Sequence, residues 1–401
     1  MIGSYRRPGP VTTIAMAQLL GTSLWFSANS AADDLMVNWG LGNADIGWLT
    51  GAVQGGFILG TLIMALTDLA DRYRASTVFV ASAIAGALFN AGFAMGADGL
   101  ASAMAFRFLV GLSLAGIYPM GMKLIVGWAP ERTGQALAQL VAMLTLGTAL
   151  PHALRELGTG LPWQLVILAS SGLALLAAGL IHALGDGPHL PLGRPGQTTG
   201  ARPGAVLKAF RIGRFRAAAW GYFGHMWELY AFWTLVPLLV SHTLPAGWIP
   251  GLGTFGMAFG IIGAGALGCW LGGRLSLRVG SARVALAALA TSGACALVFV
   301  LCWRDLPALA LGPLLLVWGA SVVADSPQFS ALSARACPQE WVGAALAMQN
   351  AIGFAITVVS IAATTSLFDR IGPDAVWLLI PGPIIGVLGF ALASRRAGAT
   401  S

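Results

Sequence analysis

The strongest constraint on this chain is its run of long apolar stretches, each close to the roughly 20 residues that a helix needs to cross a bilayer. They fall near 11–36, 46–68, 76–97, 100–127, 134–157 and 161–184, then near 214–241, 248–273, 282–303, 306–331, 341–367 and 373–394. Arg6 and Arg7 precede the first stretch, as in a signal peptide, but it is longer than an h-region and reads as a membrane span. A soluble chain would carry roughly 25% charged residues to keep its surface in water. This one is 57% hydrophobic and 9% charged, so its solvent is lipid. The expectation is an all-α integral membrane protein with twelve transmembrane helices.

The basic excess of +7 raises the question of nucleic acid, but Lys and Arg lie at the ends of apolar stretches. That placement is topogenic, and no nucleic-acid partner is expected. Cys269, Cys295, Cys302 and Cys337 have neither CxxC spacing nor a cluster with His. No disulfide framework, metal site or cofactor follows from them.

A stretch rich in Gly and Pro, Gly185 to Ala205, precedes Lys208, Arg211, Arg214 and Arg216. It divides the chain into an N-terminal bundle over 1–184, a linker over 185–213 and a C-terminal bundle over 214–401. With the N-terminus in the cytoplasm, one side receives Arg6, Arg7, Arg72, Arg74, Lys123, Arg132, Arg194, Arg202, Lys208, Arg211, Arg214, Arg216, Arg274, Arg278, Arg283, Arg335, Arg395 and Arg396. The other keeps Arg107, Arg155, Arg304 and Arg370. This positive-inside bias predicts both termini and the linker in the cytoplasm of a bacterial-type inner membrane.

The halves repeat each other. Thr67-Asp68-Leu69-Ala70-Asp71-Arg72-Tyr73-Arg74 is echoed by Gly273-Arg274-Leu275-Ser276-Leu277-Arg278-Val279-Gly280, Pro119 and Pro130 by Pro327 and Pro338, and Gly134-Gln135-Ala136-Leu137-Ala138 by Gly343-Ala344-Ala345-Leu346-Ala347. Small residues at Gly51/Gly55, Gly56/Gly60 and Gly256/Gly260 have the spacing that lets membrane helices approach closely.

These features together resemble the major facilitator superfamily over nearly the whole chain. Leu69, Ala70, Asp71 and Arg72 fit its G-x-L-A-D-R-x-G-R signature, while Thr67 and Arg74 stand where Gly is usual. The second copy keeps Gly273, Leu275, Arg278 and Gly280 but has Leu277 in place of the acid. Arg107-Phe108-Leu109-Val110-Gly111 is similar to the family's R-x-x-x-G motif. Leu146-Gly147-Thr148-Ala149-Leu150-Pro151 does not match its antiporter signature. The resemblance implies two six-helix bundles related by a pseudo-twofold axis, and secondary transport by alternating access. Asp71, Arg72, Gly273 and Arg278 would then form a gating motif at the cytoplasmic mouth, or else serve only to anchor helix ends.

Ionisable groups inside a membrane are candidates for function by default. Asp33 and Asp34 lie in the outer part of span one and Arg107 in span four, neighbouring helices in this fold. An Asp–Arg107 pair is therefore expected, as a proton-coupling switch or a static ion pair. His152 and Arg155 in span five could join Arg107 in a positive outer cavity, while Glu156 reads as an ordinary helix end. Tyr222, His225 and Glu228 recur every three residues and share one face of span seven. Glu228 is the leading proton-site candidate, followed by His225. Asp325 and Gln328 flank the potential helix breaker Pro327 in span ten, and Gln349 and Asn350 add amides in span eleven. Asn29, Gln54 and Asn90 are further amides in the first half. His225, Glu228 and Asp325 are tolerable metal ligand types, but no spacing joins the three.

The resulting expectation is a monomeric, proton-coupled secondary transporter, not an enzyme, for a small solute. The basic candidates favour an organic or inorganic anion. A cationic or zwitterionic compound, a divalent metal, or a non-transporting sensor are the alternatives.

Overall fold

In a computed structural model of the chain, residues 8–67, 69–190, 208–245, 247–338 and 342–398 are described. Arg6, Arg7, Asp68, Arg194, Arg202 and linker residues 191–207 lie outside them, and nothing of the Asp71, Arg132 and Gly134 side chains is described. The described residues form twelve helical segments, numbered here as spans, and no strand; nine stretches among them are long and apolar enough to cross a membrane, and strand-like pairing is limited to an isolated bridge between Ile249 and Leu252.

Span one is broken. Its first helix, Pro10–Thr22, gives way to a turn over 23–28, a 3-10 segment Asn29–Ala31 and a short helix Ala32–Trp39. The break falls where small hydroxyl residues crowd the chain. Ser23, Ser27 and Ser30 donate to the carbonyls of Leu20, Leu24 and Ser27, competing with backbone amides for acceptors. Spans two to six are Asn43–Leu66, Ala75–Gly96, Leu100–Trp128, Thr133–Leu157 and Trp163–Leu184. Spans seven to nine are Gly213–Thr243, Thr254–Val279 and Ser281–Cys302. Span ten comprises Ala308–Ala324 and Ser326–Ala336, broken at Asp325 just before Pro327. Span eleven is Val342–Ile371, and span twelve is Pro381–Gly398 after a 3-10 segment Gly372–Leu378.

Two helix starts differ from expectation by more than a few residues. Span eight starts six residues later than its hydropathy suggested, at Thr254 instead of 248. Trp248, Ile249 and Leu252 are apolar enough to extend the stretch, but Pro250 and the left-handed Gly251 (φ 77°) put them in a connecting turn. Span eight consequently runs on to Val279 and takes Gly273, Arg274 and Arg278 into its last turns, so the second copy of the signature is helical. Span twelve begins at Pro381 because Gly372 (φ 61°) and Pro373 open a 3-10 segment first.

The two halves are built alike. Span two packs on span four and span eight on span ten; spans two and eleven, and five and eight, join the halves. Spans two and four touch backbone to backbone: a Cβ on Gly56 would overlap the Phe108 carbonyl, and one on Gly111 the Val53 carbonyl. Spans eight and ten repeat this, with Gly268 against the Ala320 carbonyl and Gly319 against that of Ile261. Of the expected small-residue pairs, Gly56/Gly60 makes the closest helix contact, whereas Gly260 meets nothing within 4 Å. Large apolar side chains face outward from peripheral spans: Leu88, Leu176, Leu301 and Leu388 are all more than half exposed. Such a belt has hydrocarbon as its solvent.

The interlock predicts an asymmetric response to added bulk. Gly56→Val and Gly268→Val should each destabilise the detergent-solubilised protein by about 1–3 kcal/mol or more, since backbone cannot yield as a side chain does. Gly260→Ala should stay within about 0.5 kcal/mol of wild type. Thermal unfolding in detergent separates the two outcomes.

Candidate functional site

The end of the molecule that carries residues 190 and 208 is called here the linker end, and the opposite one the distal end. Between them lie three groups of buried residues, the first at the break in span one.

A broken helix leaves carbonyls without intrahelical partners. Arg107 of span four, fully buried, supplies donors to them: Nη2 donates to the Leu24 carbonyl (3.0 Å) and the Trp25 carbonyl (2.5 Å). Its Nη1 donates to Ser27 Oγ (3.0 Å) and Asn90 Oδ1 (3.0 Å). Asn90 in turn donates to the Ile167 carbonyl (2.9 Å) and Ser171 Oγ (3.0 Å) of span six. One guanidinium thus ties spans one, three and four together, and Asn90 extends the link to span six.

The expected pair between Asp33 or Asp34 and Arg107 does not form. Asp33 and Asp34 sit on the short Ala32–Trp39 helix beyond the break, at the distal end. Asp34 pairs there with Arg155 of span five, and both side chains are partly solvent-accessible. The outer positive cavity is not assembled as expected either. Arg155 also donates to the Leu161 carbonyl and lies over the Phe255 ring of span eight at 5.8 Å. His152, fully buried, stacks on the same ring at 6.2 Å. These two residues therefore line the contact between spans five and eight, while every hydrogen bond of Arg107 goes into the first half.

In the second half the acids converge. Glu228 is wholly buried and accepts from Ser292 Oγ of span nine (2.8 Å) and Trp318 Nε1 of span ten (2.7 Å). One turn earlier on the same face, His225 Nδ1 lies 2.8 Å from Asp325 Oδ1, both side chains fully buried. Asp325 stands at the break in span ten, which explains how a carboxylate reaches span seven at that depth. Tyr222 keeps its ring 6.0 Å from that of His225 and also reaches Gly353 of span eleven. Gln328 and Gln349 are buried, and Asn350 is half-buried. Among the described residues no three His, Cys, Asp or Glu side chains come together as a metal cluster.

Between these two polar groups the halves meet through aromatic rings. Trp25, in the break of span one, stacks on Tyr230 of span seven (5.7 Å, 29°) and on Phe354 of span eleven (5.9 Å, 25°). Phe57 of span two lies 4.5 Å from Phe354, and Trp233 contacts both Tyr230 (5.3 Å) and Phe26 (6.1 Å). None of these six rings exceeds 4% exposure, so the path between the halves is shut at this level.

The distal end is closed by a device that was not legible in the sequence. Glu156, at the end of span five, accepts from the Gly253 amide (2.6 Å) and the Gly256 amide (2.8 Å) at the start of span eight. Asp369, at the end of span eleven, accepts from the Asn43 amide (3.2 Å), the Asn43 side chain (2.7 Å) and the Ala44 amide (3.0 Å) at the start of span two. Each half caps a helix N-terminus of the other, where the helix dipole favours negative charge. The sequence reading of Glu156 as an ordinary helix end is thereby corrected, because its partners are main-chain amides of the other half. The one available signal was a carboxylate ending both of two equivalent spans.

At the linker end, Leu69–Arg72 forms a single helical turn and Arg72 is exposed. Gly273 approaches the Ala138 methyl of span five at 3.3 Å for an added Cβ, and Arg278 is exposed. Arg274 stacks on Trp270 at 4.0 Å.

Comparison with known proteins agrees with this architecture. A segment of 114 residues, 28% of the chain, is 32% identical to the niacin transporter NiaP of Acinetobacter baylyi, and the chain spans only about a quarter (25%) of that relative's length. Among solved structures, the human organic anion transporter MFSD10 (TETRAN) superposes with a TM-score of 0.68 over 96% of this chain and 98% of its own, at 19% identity. A bacterial homologue of the human lysosomal transporter Spinster, in an inward-facing unoccupied conformation, gives 0.66 over 97% and 95%, at 15% identity. These two likenesses concern the fold. Residues 14–360 match the family model of the Major Facilitator Superfamily, and the chain belongs to that family.

Proposed function

We propose that this protein is a proton-coupled secondary transporter of a small organic anion, working by alternating access in a bacterial-type inner membrane. The observation that carries the reading is the opposed placement of buried charge. A guanidinium with only neutral hydrogen-bond partners lies in the first half, and a set of buried carboxylates lies in the second. Arg keeps its charge in proteins, so Arg107 favours an anion nearby. Glu228 and the His225–Asp325 pair are held by donors on spans nine, ten and seven, and each can exchange a proton as these spans shift. The 114-residue stretch similar to a niacin transporter supports the substrate class.

In this reading the linker end faces the cytoplasm, as the distribution of Lys and Arg favours. The bundles 1–184 and 214–401 rock about the central aromatic contacts, with 185–213 as their tether. Glu156 and Asp369 hold the outer face shut, and Arg72, Asp71, Gly273 and Arg278 belong to the opposite mouth. Tyr222, Gln328, Gln349 and Asn350 border the substrate path of the second half, and the protein acts as a monomer.

Three results would test this. In proteoliposomes, Glu228→Gln should lower proton-driven accumulation of the anion by about tenfold or more while leaving anion exchange near wild type, as expected of a coupling group. Loss of both activities alike would assign Glu228 to structure instead. Arg107→Lys should lower both transport and thermal stability, because an ammonium cannot reproduce the planar fork that serves four acceptors. The double variant Glu156→Ala/Asp369→Ala loses two helix-capping charges. Each is worth up to about 1 kcal/mol at a partly exposed site, so the outward-open population should rise by roughly tenfold. Alkylation of a cysteine placed at Trp25 from the outer side reads that population.

A further inference from the structure

The aromatic contacts between the halves carry more than closure. Trp25 presents its ring to both Tyr230 and Phe354, within 30° of parallel to each, and both partners belong to the opposite half. A planar ring inserted between two others needs about 7 Å between them, since stacked carbons sit about 3.5 Å apart. Trp25 and Tyr230 are already in contact, so the two rings would have to part by about one ring thickness, about 3.5 Å, as the halves move.

Two further observations bear on what would enter. The indole N–H groups of Trp25 and Trp233 are buried with no hydrogen-bond acceptor, and Gln54, one turn before Phe57, is buried with neither its amide nitrogen nor its oxygen paired. A donor buried without an acceptor is costly, so acceptors on a ligand would relieve a standing penalty. The backbone of Trp25 is itself held by Arg107, whose charge no carboxylate among its hydrogen-bond partners offsets.

We infer that the substrate is a planar aromatic acid, its ring clamped between Trp25 and the Tyr230–Phe354 pair and its carboxylate taken by the buried donors beside the Arg107 node. Trp25 and Tyr230 are the specificity-determining residues. This assignment rests on the transport reading given above and narrows it to one substrate class.

The test compares two acids that share a carboxylate and nearly a volume but differ in π-character. Benzoate and cyclohexanecarboxylate are titrated calorimetrically into the full-length protein in detergent. Wild type should bind benzoate about tenfold more tightly, the sum expected of ring contacts on two faces. Trp25→Leu and Tyr230→Leu should bring that ratio toward one, and Trp25→Phe should retain most of it. The ratio is insensitive to a general weakening of binding, and the wild-type comparison needs no variant to fold. Equal binding of the two acids, binding of neither, or an unchanged ratio in both Leu variants would overturn the assignment. Counterflow with short aliphatic anions separates the two claims. Counterflow of these anions without benzoate binding leaves the transport reading standing and removes the aromatic one. Selective benzoate binding in a protein that moves no anion does the reverse.

Discussion

The architecture of the first half depends on one buried guanidinium. A helix that stops at Thr22 and resumes at Ala32 leaves polar backbone in the middle of a membrane protein, where no water pairs with it. Arg107 answers that need with two donors to main-chain carbonyls and two to side-chain oxygens. The arrangement is reciprocal. The carbonyls solvate a charge that would otherwise be prohibitively buried, and the charge stabilises a chain conformation that apolar residues alone could not keep. The position of Trp25 follows from it, and so does the meeting of the two halves at that ring.

Around this centre the duplication of the chain is expressed as paired solutions to the same packing problem. Glycines bring span two against span four and span eight against span ten, in both cases with a carbonyl occupying the place of a side chain. Carboxylates at the ends of spans five and eleven each reach a helix start in the other half. The symmetry ends at the charges inside. The first half buries a cation among neutral acceptors, whereas the second buries Glu228 and the His225–Asp325 pair.

Much of this was readable from residues alone, and the failures have physical causes. Hydropathy located the spans because the lipid requirement is local. It misplaced the start of span eight because Trp248, Ile249 and Leu252 are apolar whether they lie in a helix or a turn, and Pro250 and Gly251 decide between the two. Glu228, His225 and Asp325 stood out as rare ionisable residues in apolar surroundings, although their pairing depended on a break in span ten. Arg107 stands out for the same reason, but its partners are carbonyl and side-chain oxygens where a carboxylate is the expected partner. Backbone carbonyls carry no signature in a sequence. The hydroxyl-rich run Thr22, Ser23, Ser27, Asn29, Ser30 was the only hint that carbonyls would be free there. The partners of Glu156 and Asp369 were hidden for the same reason, being main-chain amides of helices far away in the chain.

The use of main-chain amides at the distal end has a consequence for how this gate can change over generations. A main-chain amide persists through every substitution except proline, so Ala44 can change and keep its donor, whereas a Cβ at Gly253 or Gly256 would crowd the Glu156 carboxylate and a change at Asn43 would lose its side-chain donor. The acceptors have no such fallback, and loss of the carboxylate at Glu156 or Asp369 empties its cap whatever the facing helix start carries. Each carboxylate fastens one pair of spans across the distal end, so the two fastenings can be loosened one at a time with the aromatic contact between the halves left in place.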